Sequence, residues 1–356
     1  MIFRRFALLA LCLSTLFLNI GCPPGSNIPG LPSGGTSFAT ATPLTFNSSG
    51  KASIAGTITQ NRIEIYDLGA CAVGDRIQLI VDASSGSSLD PLAGLFNAGG
   101  ELYAMNDDFD LDANRLESVI DQIVRTASDH FYLAVTQSGF GNTTGGYAGE
   151  ITITRGGSVS PPEVQYLVLD FSGGSVSIPN VGNYNLTAFN ASDINGNYSG
   201  NTAAIKAQIV ATVRENFEGF GIEIVTSDDP APNSNCVSTI YFGAFSQSAF
   251  GMAENVDHDN ANYCDDAIIF TDDFSDPFSS LPSVQGIGIA IGNVAAHEAG
   301  HLLGLEHTTD ITDLMDTTGS ASTLLADQEF KTADLHSSIF PIGKQNGVLL
   351  LNEVIP

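Results

Sequence analysis

His297-Glu298-Ala299-Gly300-His301-Leu302-Leu303-Gly304-Leu305-Glu306-His307 decides the reading of this chain. Its first two histidines stand four residues apart, so on a helix they share one face, a turn above each other. That spacing lets two imidazoles reach one metal ion while Glu298 stands beside them. Gly304 is positioned to end the helix, because glycine takes the left-handed conformation beyond a helix C-cap at no steric cost. The turn can then return His307 as a third ligand. Three neutral imidazoles leave a fourth position open to water, the arrangement of catalytic rather than structural zinc. Met315, within Asp313-Leu314-Met315-Asp316, follows eight residues after His307. A core helix that carries histidines by chance is the competing account. Three of the chain's six histidines at these offsets, with Glu298 and Gly304 in place, argue against it.

The 356 residues suffice for two domains, each with a core of its own. The balance of 12 Lys+Arg against 39 Asp+Glu, net −27, disfavours nucleic acid and anionic lipid as partners. It suits calcium, a hard cation that prefers carboxylate oxygens, and it equally suits plain solubility outside the cell. The acidity is uneven: from Glu163 onward there are 25 acidic and 4 basic residues. They gather in Asp257-His258-Asp259 through Asp265-Asp266 and in Asp272-Asp273, which are candidate calcium loops. His258 reads either as a solvent-exposed residue or as a ligand to a second metal.

Residues 1–21 have the form of an export signal, with Arg4 and Arg5 ahead of an apolar run from Phe6 to Ile20. The run ends at Gly21-Cys22 and resembles a bacterial lipoprotein signal, in which Cys22 would be lipidated. Asn19 stands where such signals prefer Leu, so secretion without an anchor stays open beside a surface or outer-membrane lipoprotein. The membrane enters only through that anchor. Residues 22–39, rich in Pro, Gly and Ser, read as a flexible tether. In an oxidising compartment Cys236 and Cys264, each just ahead of an apolar run, form a candidate disulfide. Cys71 is then left as a small buried hydrophobe.

Residues 40–155 show short alternating segments such as Arg76–Val81 and His130–Val135, broken by turn residues. This is the pattern of an all-β sandwich. The loop Asp107, Asp108, Asp110, Asp112 offers alternating oxygens, either to calcium or to water. Gly156 to Pro162 is a linker. Beyond it, over residues 163–356, come a strand at Val164–Phe171 and an amphipathic helix at Thr202–Phe217 with Asn201 as candidate N-cap. Strands at Gly221–Thr226, Val237–Phe242 and Ala267–Thr271 lead to the histidine helix at Ser283–Leu303. The whole is an α+β multidomain chain in which an α/β domain follows a sandwich.

The signature His297–His307 with Met315 resembles that of the metzincin zinc peptidases. The strand and helix order over 163–356 resembles their matrixin-like branch. The resemblance implies a mixed sheet, a zinc-binding helix and a Met-turn. It also implies zinc on His297, His301 and His307, Glu298 as general base and Met315 as an apolar floor. The edge strand Ala249, Phe250, Gly251, Met252, Ala253 would hold an extended peptide by adding it to the sheet. The chain departs from other branches at Thr308, where they carry Asp or Ser, and at Thr317, where astacins and serralysins carry Tyr. Residues 40–155 resemble the bacterial pre-peptidase C-terminal domain through Leu89-Asp90-Pro91-Leu92, Asn106-Asp107-Asp108 and Gly146-Tyr147-Ala148-Gly149.

The expectation is a monomeric, exported zinc endopeptidase acting on protein or peptide. An inert adhesin or scaffold that keeps the zinc fold is the competing class. A zinc hydrolase of another bond shares the motif.

Overall fold

The computed structural model describes residues 33–110, 113–139, 143–234, 236–245 and 249–356. The export signal and Cys22 lie outside the described residues, as do Asp112 and most of the tether. The chain divides into two compact units. One runs to Ser160 and takes in Ser337–Lys344; the other is Pro161–His336 with Gln345–Pro356. The excursion Ser337–Lys344 departs from the continuous segment 163–356 expected from the sequence.

Among the described residues of the first unit, nine strands form two sheets. They are β1 (Thr42–Pro43), β2 (Lys51–Ile58), β3 (Glu64–Cys71), β4 (Arg76–Ala83), β5 (Pro91–Asn97), β6 (Leu102–Asn106), β7 (Ser118–Ile123), β8 (Ser128–Gln137) and β9 (Gly145–Thr154). The sheets run β1-β3-β8-β5-β6 and β2-β9-β4-β7. Every second residue of β9 is buried, so one face of its sheet turns inward and the other meets water. Ile54, Ile77, Leu79 and Ile151 from one sheet pack with Tyr66, Leu95 and Leu133 from the other in a single core. Glu64, 2% exposed, survives there because Tyr147 Oη at 2.8 Å and Gly34 N at 3.2 Å donate to its Oε2.

The tether does not stay free to residue 39. Gly35 exchanges backbone hydrogen bonds with Ile65, and Phe38 lies 5.3 Å from the Phe96 ring and 5.2 Å from the Tyr132 ring. One aromatic side chain in a run of small residues is enough to dock the segment. In the excursion, Phe340 is 1% exposed and meets Phe96 edge-on at 5.2 Å.

The second unit holds β10 (Gln165–Asp170), β11 (Gly174–Ile178), β12 (Gly182–Leu186), α1 (Ala191–Ile194), α2 (Thr202–Asn216), β13 (Ile222–Thr226), β14 (Ser238–Gly243), β15 (Gly251–Ala253), β16 (Asp266–Phe270) and α3 (Val284–Leu302). The short strands β17 (Thr332–Asp334) and β18 (Lys344–Asn346) and the helix α4 (Gly347–Val354) follow. The main sheet, β13-β10-β14-β16-β15, is parallel except for β15, which runs antiparallel at the edge. Alternate residues of β16 serve two cores. Ala267 and Ile269 face the cluster that contains α2 and α3, while Ile268 and Phe270 face the β11–β12 hairpin. The hairpin, absent from the sequence reading, explains why β16 is apolar on both faces.

Helix α3 packs closely on α2 because it carries glycine where they cross. A Cβ on Gly292 would lie 2.6 Å from Thr212 Cβ, and one on Gly288 would lie 2.5 Å from Gln208 Cβ. Asn201 occupies the N-cap position of α2 without capping it: no side-chain cap bond forms, and its amide points to Ser199 O at 3.4 Å. Ser283 caps α3, accepting from Gly286 N at 3.0 Å.

A disulfide joins Cys236 to Cys264 across 28 residues, and Cys71 is a buried free thiol. Replacing both bridged cysteines by serine should lower the stability of the chain by about 3 kcal/mol, the usual worth of closing a loop of this length. Denaturant unfolding with and without reductant measures it. Equal midpoints for parent and double variant would contradict the bridge.

Candidate metal centre

The helix places His297 and His301 on one face. At its end Leu303 is the C-cap and Gly304 takes φ +90°. Gly304 N donates to His301 O at 3.0 Å and Leu305 N to Gly300 O at 2.9 Å, the paired bonds of a Schellman ending. A side chain at 304 would be strained by that φ and would also lie 2.8 Å from Asp257 O. The chain leaves the helix so tightly that His307, six residues beyond His301, brings its Nε2 within 3.0 Å of His301 Nε2. The ligand nitrogens of His297, His301 and His307 all lie within 4.8 Å of one another.

Two of the rings have a fixed tautomer. His297 Nδ1 lies 2.7 Å from Leu314 O and His301 Nδ1 lies 2.7 Å from Leu305 O. A carbonyl oxygen only accepts, so each Nδ1 carries the proton and each Nε2 is left with its lone pair. Burial lowers the pKa of all three rings. For His297 the Leu314 carbonyl and Asp316 push partly back. His301 falls well below its ordinary value, through burial and then the charges of His307 and His297. His307 falls to about 3, through burial, His297 and His336. Neutral, preoriented imidazoles are the form that binds a transition metal. The donor set therefore fits a divalent zinc ion.

Glu298 is 7% exposed and sits against the edge strand. Gly251 makes room for it, since a Cβ there would lie 2.6 Å from Glu298 Oε1. Burial raises its pKa to about 8, against a hydrogen bond from the Ala253 backbone. A cation nearby favours the charged carboxylate and counters that burial. Of the sequence-derived edge segment, Gly251, Met252 and Ala253 form β15, while Phe250 contributes its carbonyl to Phe270 N at 2.9 Å; Ala249 lies before the strand. Met315 is 1% exposed in the turn Asp313–Asp316, its sulfur packed where a side chain at Gly300 would stand.

The structure rearranges the acidic groups. His258 is not open to solvent and stands outside the three-histidine group: its Nε2 lies 3.3 Å from Glu306 Oε1. Burial alone would lower His258, and the Glu306 carboxylate with Asp259 and Asp257 carries it above its ordinary value. In the first unit Asp107 and Asp108 gather with Asp90, not with Asp110, whose Oδ1 accepts from Ala113 N at 3.0 Å. The sequence reading also missed the carbonyls of Leu305 and Leu314 and the side chain of Gln345. Leu305 and Leu314 stand inside the quoted stretches and Gln345 outside them, but only the fold brings the two carbonyls to the histidines and Gln345 to Glu306.

A family model described as matrixin matches residues 238–336. No curated protein matches the chain. Among solved structures, archaemetzincin from Methanopyrus kandleri is similar at 12% identity and TM-score 0.28, over 47% of this chain and 89% of that one. The pre-peptidase C-terminal domain of collagenase from Bacillus anthracis is similar at 15% identity and TM-score 0.23, over 32% and 93%. The periplasmic g-type lysozyme inhibitor PliG from Aeromonas hydrophila is similar at 16% and 0.25, over 32% and 95%. Scores this low carry no functional argument. The matrixin match supports a metallopeptidase-like fold for the segment that carries the three histidines. No helix among the described residues is long and apolar enough to cross a membrane.

The neutral state of His307 has a measurable consequence in metal-free protein. The same imidazole titrates at about 6.5 in an unfolded chain. Between about 6.5 and about 3 the unfolded chain binds a proton that the folded one refuses. Falling pH therefore removes the contribution of His307 to stability, and rising pH restores it. Histidine-labelled NMR should show no protonation of His307 down to pH 5. A midpoint near 6.5 would contradict the burial described.

Proposed function

We propose that this chain is a zinc-dependent endopeptidase. The observation that carries the reading is the convergence of three neutral imidazoles beside a buried glutamate that touches an edge strand. His297, His301 and His307 would hold the ion. Bound there, zinc supplies a Lewis acid for a carbonyl oxygen and lowers the pKa of water toward neutrality.

The chain supplies the rest. The outer edge of β15 offers backbone groups to an extended peptide, which adds as a further antiparallel or parallel strand. Glu298, held by the Ala253 N–H, takes a proton from the attacking water and passes it to the leaving amine. Met315 and Gly300 close the space beneath the histidines with apolar contact. Water is the attacking group, so no acyl-enzyme forms. We also propose export by residues 1–21 and anchoring through a lipid on Cys22. Cys22→Ser should then move the protein from the membrane fraction to the soluble one, and unchanged partitioning would contradict the anchor.

Cleavage of a proteome-derived peptide library, with and without a chelator, tests the activity. Glu298→Gln keeps the size of the side chain but cannot take the proton. It should retain zinc and lose turnover by on the order of 10² to 10⁴. His307→Ala should lose zinc itself. Zinc bound in full by the parent with no peptide cleaved would favour an inert scaffold. Parental turnover in Glu298→Gln would remove Glu298 from the mechanism.

A further inference from the structure

The three histidines are not held alike. His297 and His301 ride on α3, whose ladder fixes their Cα positions. His307 stands in Leu305–His307, which belongs to no helix or strand. A ligand set tolerates errors of only about half an ångström, so something outside this segment must fix it.

The fixing groups can be named. Leu305 O accepts from His301 Nδ1, and His307 O accepts from His336 N at 2.9 Å. Thr308 N donates to Met315 O at 3.0 Å, and Thr308 Oγ1 to Asp313 Oδ2 at 2.6 Å. Between them the peptide groups of Glu306 have no backbone partner among the described residues. Both are taken by one side chain. Glu306 N donates to Gln345 Oε1 at 2.6 Å, and Gln345 Nε2 donates to Glu306 O at 2.8 Å. Gln345 is 1% exposed and Glu306 6% exposed, so water does not compete for these bonds.

An amide side chain carries one donor and one acceptor at the spacing of a peptide group. Gln345 thus does for Glu306 what a neighbouring strand would do, and the Glu306 carbonyl carbon is bonded directly to the nitrogen of His307. His336 and Gln345 are the last and first residues of the second unit on either side of the Ser337–Lys344 excursion.

We infer that Gln345 is a positioning residue for the third metal ligand: its side-chain amide clamps the Glu306 backbone and so sets His307 Nε2 against His301 Nε2. The inference rests on the zinc reading of the site. It assigns Gln345 no contact with metal or substrate. A group acting through a ligand in this way is worth about 10- to 100-fold in metal affinity.

The test measures zinc affinity by competition with a chromophoric chelator, and the visible spectrum of the cobalt form, on the full chain. Gln345→Met keeps the volume and removes both bonds. Gln345→Glu keeps an acceptor for Glu306 N but sets a carboxylate against Glu306 O. Both variants should bind zinc about 10- to 100-fold more weakly, with an altered cobalt spectrum, while their zinc-loaded circular dichroism matches the parent. Parental affinity and cobalt spectrum in Gln345→Met, whatever its melting temperature, would overturn the clamp alone. Two variants that stay unfolded with zinc present would make Gln345 a residue of the fold only, and the clamp would again fall. If the parent itself binds no zinc, the reading of the site fails first and takes the clamp with it.

Discussion

Two backbone carbonyls, those of Leu314 and Leu305, hold the site together. By accepting the Nδ1 protons of His297 and His301 they decide which nitrogen of each ring is left bare. Everything around the histidines can be read as a means of bringing those carbonyls to the rings. Gly304 ends α3 so abruptly that Leu305 falls beneath His301. The turn Asp313–Asp316 then returns Leu314 to His297, seventeen residues away in sequence. Burial completes the arrangement, because rings shut away from water do not protonate at neutral pH.

The sheet is arranged to the same end. β15 is the one antiparallel strand of its sheet and lies at the edge, and Gly251 lets a carboxylate from α3 press against it. The packing of α3 on α2 rests on small residues, with Gly288 and Gly292 admitting Gln208 and Thr212. The β11–β12 hairpin covers the other face of the sheet.

What could be read from sequence followed the range of the interactions. The offsets 297, 301 and 307 are local, fixed by helical pitch and one turn, and so were legible. So was the alternation of the sandwich strands, and so was the pairing of Cys236 with Cys264, which precede neighbouring strands. Contacts between distant residues were not legible. Gln345 looks like any polar residue ahead of a helix until the fold sets it against Glu306. Asp90 stands apart from Asp107 and Asp108 in sequence but beside them where β5 begins and β6 ends. The surroundings of His258 were not legible because its partner Glu306, 48 residues on, is brought to it only by the fold. Asn201 failed as a cap for a local reason, since its backbone angles at φ −104° and ψ 9° are not the extended ones that aim a capping side chain.

A metal ion among these three rings is what the site's geometry requires. X-ray absorption at the zinc edge on the purified full chain measures that shell directly. Stoichiometric zinc with three imidazole nitrogens and one further light-atom ligand at about 2.0–2.1 Å is the expected result. A chain without zinc, or a shell with sulfur or without imidazole scattering, would contradict it.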